Sequence, residues 1–193
     1  MPIVAALVVA VLGTIYFAGG TLGPFDGRAE GWDALREPWR TIALTVDFCG
    51  EPLGSTILTG IVVAVCLLLR RARLAVTAVA GIGVTIAATT ALKPIVGRTI
   101  HGDYLSFPSG HTAFASALAL IVALTVIDVF HPGHHGRSLT IAALVLPAGA
   151  AMGWAQVMLS AHYPTDTLGG FCTALATVPA TAHLVDRAWK PRG

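Results

Sequence analysis

Two histidines and one carboxylate carry the most chemistry in this chain, and each stands at the edge of an apolar stretch. His162 and Asp166 lie four residues apart in SAHYPTDTLGG, with Pro164 between them. That spacing is about one helical turn, and a proline at the first helical position costs no hydrogen bond. A carboxylate so placed can accept the Nδ1 proton of His162, fixing the tautomer and leaving Nε2 as a nucleophile. The second histidine, His111, follows Pro108, Ser109 and Gly110 in FPSGHTAF and precedes a long uncharged run. Free N–H groups at the start of a helix there, with the positive end of its dipole behind them, form an anion seat. Gly110 lets a ligand approach the backbone, and the Ser109 hydroxyl can cap the helix or donate to an oxyanion. Lys93 and Arg98, in LKPIVGRTIHGDY, add positive charge at the end of another apolar run. The set suits nucleophilic attack on an anionic substrate, with His162 attacking, Asp166 orienting it, and His111 protonating the departing oxygen.

Apolar helices must position these groups. The chain has 193 residues, 55% hydrophobic and only 11% charged, and its mean hydropathy is +0.76. Such a balance calls for lipid rather than water around the fold. About 20 apolar residues cross the hydrocarbon layer as a helix, and six charge-poor stretches meet that need, at about 2–25, 52–69, 74–92, 109–130, 138–161 and 164–185. Continuous apolar runs without alternation predict helices rather than a barrel. The fold class is therefore an all-α, integral membrane bundle of six transmembrane helices, in one domain spanning 1–193. The first stretch reads as a span and not a cleaved signal, since it lacks a basic start and an A-x-A site.

Six spans put both termini on one face, with Arg70, Arg71, Arg73, Arg137, Arg187, Lys190 and Arg192. The other face holds Arg28, Arg36, Arg40, Lys93 and Arg98. The richer face is expected to be cytoplasmic. Ser109, His111, His162 and Asp166 then share the outer side of a cell membrane with Lys93 and Arg98, as one site requires. In the long outer loop, residues 26–51, Trp32, Leu35 and Trp39 fall at spacings of three and four. They predict a short helix in the membrane interface, an anchoring belt or a lip that guides substrate.

The remaining features exclude more than they suggest. A net charge of +2 without a basic stripe gives no support to nucleic-acid binding. Cys49, Cys66 and Cys172 form no close pair and read as filler or free thiols. His131, His134 and His135 crowd HPGHHGRS without a cysteine or an acid, a poor metal set. Asp128, His183 and Asp186 fall near cytoplasmic helix ends as interfacial groups. No acidic cluster suited to magnesium or calcium accompanies the outward histidines, so the expectation is chemistry without metal or cofactor.

These motifs resemble the type-2 phosphatidic acid phosphatase superfamily, which shares its site with vanadium haloperoxidases. The family pattern joins Lys, six residues and Arg-Pro to Pro-Ser-Gly-His, and then to Ser-Arg, five residues, His, three residues and Asp. Pro108-Ser109-Gly110-His111 is intact, as is the stretch from His162 to Asp166. The likeness is close over 93–170, and the six-span layout extends it over most of the chain. It implies a membrane lipid phosphatase that hydrolyses a phosphomonoester or diphosphate of an isoprenoid or glycerolipid through a phosphohistidine at His162. Ser109, the Gly110 amide and Lys93 would hold the phosphoryl oxygens.

Two departures stand out, because Ile100-His101 occupies the Arg-Pro position and Ala155-Gln156 the Ser-Arg position. Residues two apart in an extended loop point the same way, roughly 6.5 Å from each other, so Arg98 is expected to supply one missing guanidinium. Gln156 is expected to donate a neutral, weaker hydrogen bond to the phosphate. The same residues leave two alternatives open, phosphotransfer to another alcohol and a non-catalytic binder of lipid phosphate. Without its arginines, a haloperoxidase vanadate site is not expected.

Overall fold

The computed structural model describes residues 2–17, 26, 36–102 and 104–189. Trp32 and Leu35 of the expected interfacial helix lie outside the described residues, as do Arg28, Lys190 and Arg192 of the charge count and residues 18–25 of the first expected span.

Seven helices account for most of the described chain: α1 Pro2–Ile15, α2 Trp39–Phe48, α3 Pro52–Leu68, α4 Ala72–Val96, α5 Gly110–Phe130, α6 His134–Met158 and α7 Pro164–Trp189. Four of them, α4 to α7, are long and apolar enough to cross a bilayer, and α2 with α3 makes a fifth if that pair, bent by 62°, is one span. Helix α1 has 14 residues, fewer than the roughly 20 a straight crossing takes. One departure from an all-helical chain is a small antiparallel hairpin, β1 Thr99–Ile100 with β2 Tyr104–Leu105.

Helix α5 is the axis of the bundle, packing against α4, α6 and α7. Ala78 and Ile82 from α4, Phe114, Ala117, Leu120 and Ile121 from α5, Val145 from α6, and Ala174 and Val178 from α7 form the main core. Within lipid the apolar effect drives insertion but not helix association, so close packing and internal hydrogen bonds must hold the helices together. Buried threonines contribute. Thr77, Thr85, Thr125 and Thr173 each donate to a carbonyl one turn earlier in their own helix, and Thr85 shares a 2.7 Å hydrogen bond with Thr177 between α4 and α7.

Charged residues collect at the two ends. At one end Arg71 and Arg73 pair with Asp128 of α5, and Arg73 also meets Asp186 of α7. The two acids expected to be merely interfacial therefore tie three helices together. The opposite end gathers the last turn of α4, the hairpin and the starts of α5 and α7.

Helix α4 runs past its expected end at 92 to Val96, which puts Lys93 in its last turn. Gly97 then ends it at a φ of 68°, a left-handed conformation that suits glycine, and donates to the Lys93 carbonyl. The reversal sends Arg98 back under the helix ends.

Candidate active site

Ser109 caps α5. Its extended backbone frees the hydroxyl to accept from the Thr112 amide at 3.4 Å. The Ser109 amide donates to the Asp166 carbonyl at 2.9 Å, so one backbone bond joins the two conserved-type motifs across α5 and α7. Gly170 permits the approach, since a Cβ there would stand 2.2 Å from the Ser109 carbonyl oxygen. Helix α7 therefore lies against the mouth of α5 as closely as backbones allow.

His162 immediately precedes α7's entry. Its amide and that of Ala161 donate to the Gln156 carbonyl, which closes the end of α6. The side chain is nearly enclosed, with 8% of the residue exposed. Its Nδ1 faces Asp166 Oδ2 at 3.7 Å, beyond hydrogen-bond reach, and makes no hydrogen bond among the described residues. Asp166 is fully buried and accepts from the Tyr163 amide at 3.0 Å. Histidine and carboxylate are thus aligned at a distance that substrate binding can shorten.

Arg98 reaches this carboxylate too. Its guanidinium donates to Asp166 Oδ1 at 2.6 Å, to the Thr165 hydroxyl at 2.7 Å and to Asp26 Oδ2 at 2.7 Å. The rings of Tyr16 and Tyr163 lie over it at 3.7 and 4.4 Å. The strand geometry that was to bring Arg98 onto a phosphate instead turns it inward, where 2% of the residue is exposed and carboxylates occupy its donors. Ile100 is buried as well.

His111, in the first turn of α5, has different company. Its Nε2 stands 3.6 Å from Asp47 Oδ1 and 3.5 Å from Glu51 Oε1, and it has no hydrogen-bond partner among the described residues. Helix α2, packed on α6 with Trp39 edge-on to Trp154 at 6.3 Å, carries Asp47, and Glu51 is the N-cap residue of α3. Trp39, Ile42, Leu44 and Phe48 are exposed on α2, as an interfacial helix requires. Gly50 leaves room for the histidine, because a Cβ there would meet its ring at 2.3 Å.

Buried Gln156 donates its amide to Asp47. In the arginine position the chain therefore has a neutral side chain directed at a carboxylate. The expectation that no acidic cluster suited to a metal ion accompanies the outward histidines does not hold at His111. Asp47, Glu51 and His111 each offer one ligand atom, all within 4.8 Å of one another, a set that could hold a metal ion.

Ser109, Gly110, His111, His162, Asp166, Lys93, Arg98 and Gln156 all come to one end of the bundle. Sequence reasoning missed Asp26, Asp47, Glu51, Tyr16 and Thr165. Their only signal was three acids in a connection already rich in charge. Beside the histidines, a cavity of about 450 Å³ runs between α5, α6 and α7, lined by Thr112, Gly149, Gly153, Trp154, Pro164 and Phe171 among others.

Comparison with known proteins bears on the family and the fold. The family model described as the PAP2 superfamily matches residues 74–190. No curated protein sequence matches the chain. Among solved structures, the fold is similar to a crystal structure described as the first transmembrane PAP2-type phosphatidylglycerolphosphate phosphatase from Bacillus subtilis. The TM-score is 0.79 at 19% identity, covering 100% of this chain and 98% of the other.

Proposed function

Since the chain belongs to the PAP2 superfamily, we propose that it is a membrane lipid phosphatase working through a phosphohistidine at the outer face of the cell membrane. The observation that carries the reading is the junction of the two motifs. The Ser109 amide bonded to the Asp166 carbonyl sets the anion seat of α5 beside the His162–Asp166 pair.

The substrate phosphate binds the Ser109 hydroxyl, the Gly110 amide and Lys93. His162 Nε2 attacks phosphorus while the bond to the ester oxygen breaks, and His111 gives that oxygen its proton. His111 then takes a proton from water, whose oxygen displaces His162 and releases inorganic phosphate. Asp166 faces Nδ1 and supports the positive ring that forms when Nε2 bonds to phosphorus. The apolar cavity beside Thr112 and Pro164 takes the hydrocarbon chain, and lipid enters from the side between helices.

Arg98 is a support for Asp166 in this reading, and Gln156 approaches the phosphate only by leaving Asp47. The reaction uses no metal. Arg70, Arg71, Arg73, Arg137 and Arg187 lie at the end away from the histidines, which supports an outward site.

Purified protein in detergent, offered phosphatidic acid, phosphatidylglycerol phosphate and farnesyl diphosphate, should release phosphate from at least one. The His162→Ala protein should lose about 10³-fold or more of that rate. Equal release by that variant would sink the reading, and a new phosphoester in place of free phosphate would indicate transfer.

A further inference from the structure

Asp26 belongs to none of the motifs and takes no part in the reaction above, yet it is completely buried. Its Oδ2 accepts from Arg98 at 2.7 Å and from the Tyr16 hydroxyl at 3.2 Å. Its Oδ1 accepts from the Thr165 hydroxyl at 2.8 Å and the Thr165 amide at 3.3 Å. The Thr165 contacts lead directly to the first turn of α7, one residue from Asp166, and Arg98 reaches the same turn through Asp166 and Thr165. Arg98 lies against two aromatic rings and is shared by two carboxylates, so the formal charges of Asp26, Arg98 and Asp166 sum to minus one.

We infer that Asp26 is a positioning residue for the His162–Asp166 pair, an inference that rests on the reaction proposed above. A buried arginine paired with Asp166 alone would make a neutral couple. That carboxylate would then be a weak acceptor for the Nδ1 proton and a weak support for a cationic ring. By taking one side of the guanidinium, Asp26 restores the negative charge and confines Arg98 to Asp166 Oδ1. Oδ2 is left facing His162 Nδ1. Asp26 also holds the main chain of Thr165, so the first turn of α7 cannot rotate Asp166 away. Asp26 thereby takes part in tuning the nucleophile from outside the three motifs.

The test needs no substrate for its main readout. Protein labelled with ¹⁵N-histidine is studied in detergent at a pH where His162 is neutral, its signals assigned by their loss in His162→Gln. In the native protein the ring proton should reside on Nδ1. Asp26→Asn should raise the Nε2–H tautomer about threefold or more, because the acceptor is weakened. On phosphatidic acid micelles the same variant should lower kcat about tenfold with KM within about twofold.

An unchanged tautomer ratio in folded Asp26→Asn overturns the inference, whatever happens to kcat. If that variant does not fold, Tyr16→Phe removes a single hydrogen bond to Asp26 and should shift the ratio in the same direction by less. An unshifted ratio there overturns it equally. A native protein that releases no phosphate would refute the proposed reaction while leaving the tautomer measurement decisive for Asp26.

Discussion

In the proposed reaction His162 and His111 serve one site from different surroundings. His162 faces, at 3.7 Å and without a hydrogen bond, a carboxylate held with an arginine, a second carboxylate and a threonine, all buried, between the rings of buried Tyr16 and partly exposed Tyr163. His111 has 27% of its side chain exposed and stands at 3.5–3.6 Å from two acids without a hydrogen bond to either. The physical lesson concerns timing. A nucleophile must be aimed before substrate arrives, and a rigid buried network does that. A general acid must follow a leaving oxygen and then a water, which suits a looser setting.

Removing Arg98 should break the rigid half most severely. Arg98→Leu leaves Asp26 and Asp166 buried without a cation, so unfolding in detergent should become easier by about 3–5 kcal/mol, as denaturant or thermal titration will read. If the cost is under 1 kcal/mol, the network is not what holds this end together.

The looser half should yield to chemistry rather than to stability. His111→Ala should slow release from an alkyl phosphate by about 10²–10³-fold, with p-nitrophenyl phosphate recovering most of that loss, since its leaving group needs no proton. His162→Ala should stay inactive on both. Equal losses on the two substrates would remove the distinction between acid and nucleophile.

A smaller effect is expected at the arginine position. Gln156→Arg, placed beside Asp47, should strengthen inhibition by vanadate about threefold to tenfold, because a charge-assisted bond replaces a neutral one. Adding Asp47→Asn should increase that gain by freeing the new guanidinium. Unchanged inhibition in the double variant would mean that the side chain does not reach the bound anion.

The smallest effects belong to the half-exposed acid and to metal. Glu51→Gln should alter kcat by less than about threefold, as expected of a partly solvated charge. EDTA should leave activity within about twofold, although Asp47, Glu51 and His111 form a plausible ligand set. A loss in EDTA that manganese or magnesium restores would assign the ion to that triad and reverse the metal-free mechanism.

Much of the architecture could be read in advance because it rests on local rules. Apolar runs long enough to span lipid locate α4 to α7, and Pro-Ser-Gly-His foretells a capped helix with its amides open to an anion. The His162–Asp166 spacing likewise implies one helical turn. Boundaries were less legible: α4 extends to Val96 and α6 starts at His134, ahead of the expected 138. Helix length beyond the apolar core is set by packing at the ends, not by hydropathy.

Arg98 shows where local reasoning fails. The two-residue spacing from Arg98 to Ile100 assumed an extended loop, and the chain forms a short strand at Thr99–Ile100, but that spacing carried no information on what lay beneath Arg98. The decisive partner, Asp26, is 72 residues away. In the same way Asp47 and Gln156 are 109 residues apart, and nothing in either neighbourhood announces their contact.

By itself, then, the sequence determined that this chain forms apolar helices and that two histidines, a carboxylate and a capped helix start stand at helix ends. Hydropathy, capping and helical spacing are properties of neighbouring residues, so order along the chain suffices to express them. Only the tertiary structure decided which charges meet. Arg98 serves Asp166 and Asp26, Gln156 serves Asp47, and two acids flank His111. Coulombic pairing in a dry helix bundle depends on distances of a few ångströms between elements far apart in sequence, and those distances exist only once the helices have packed.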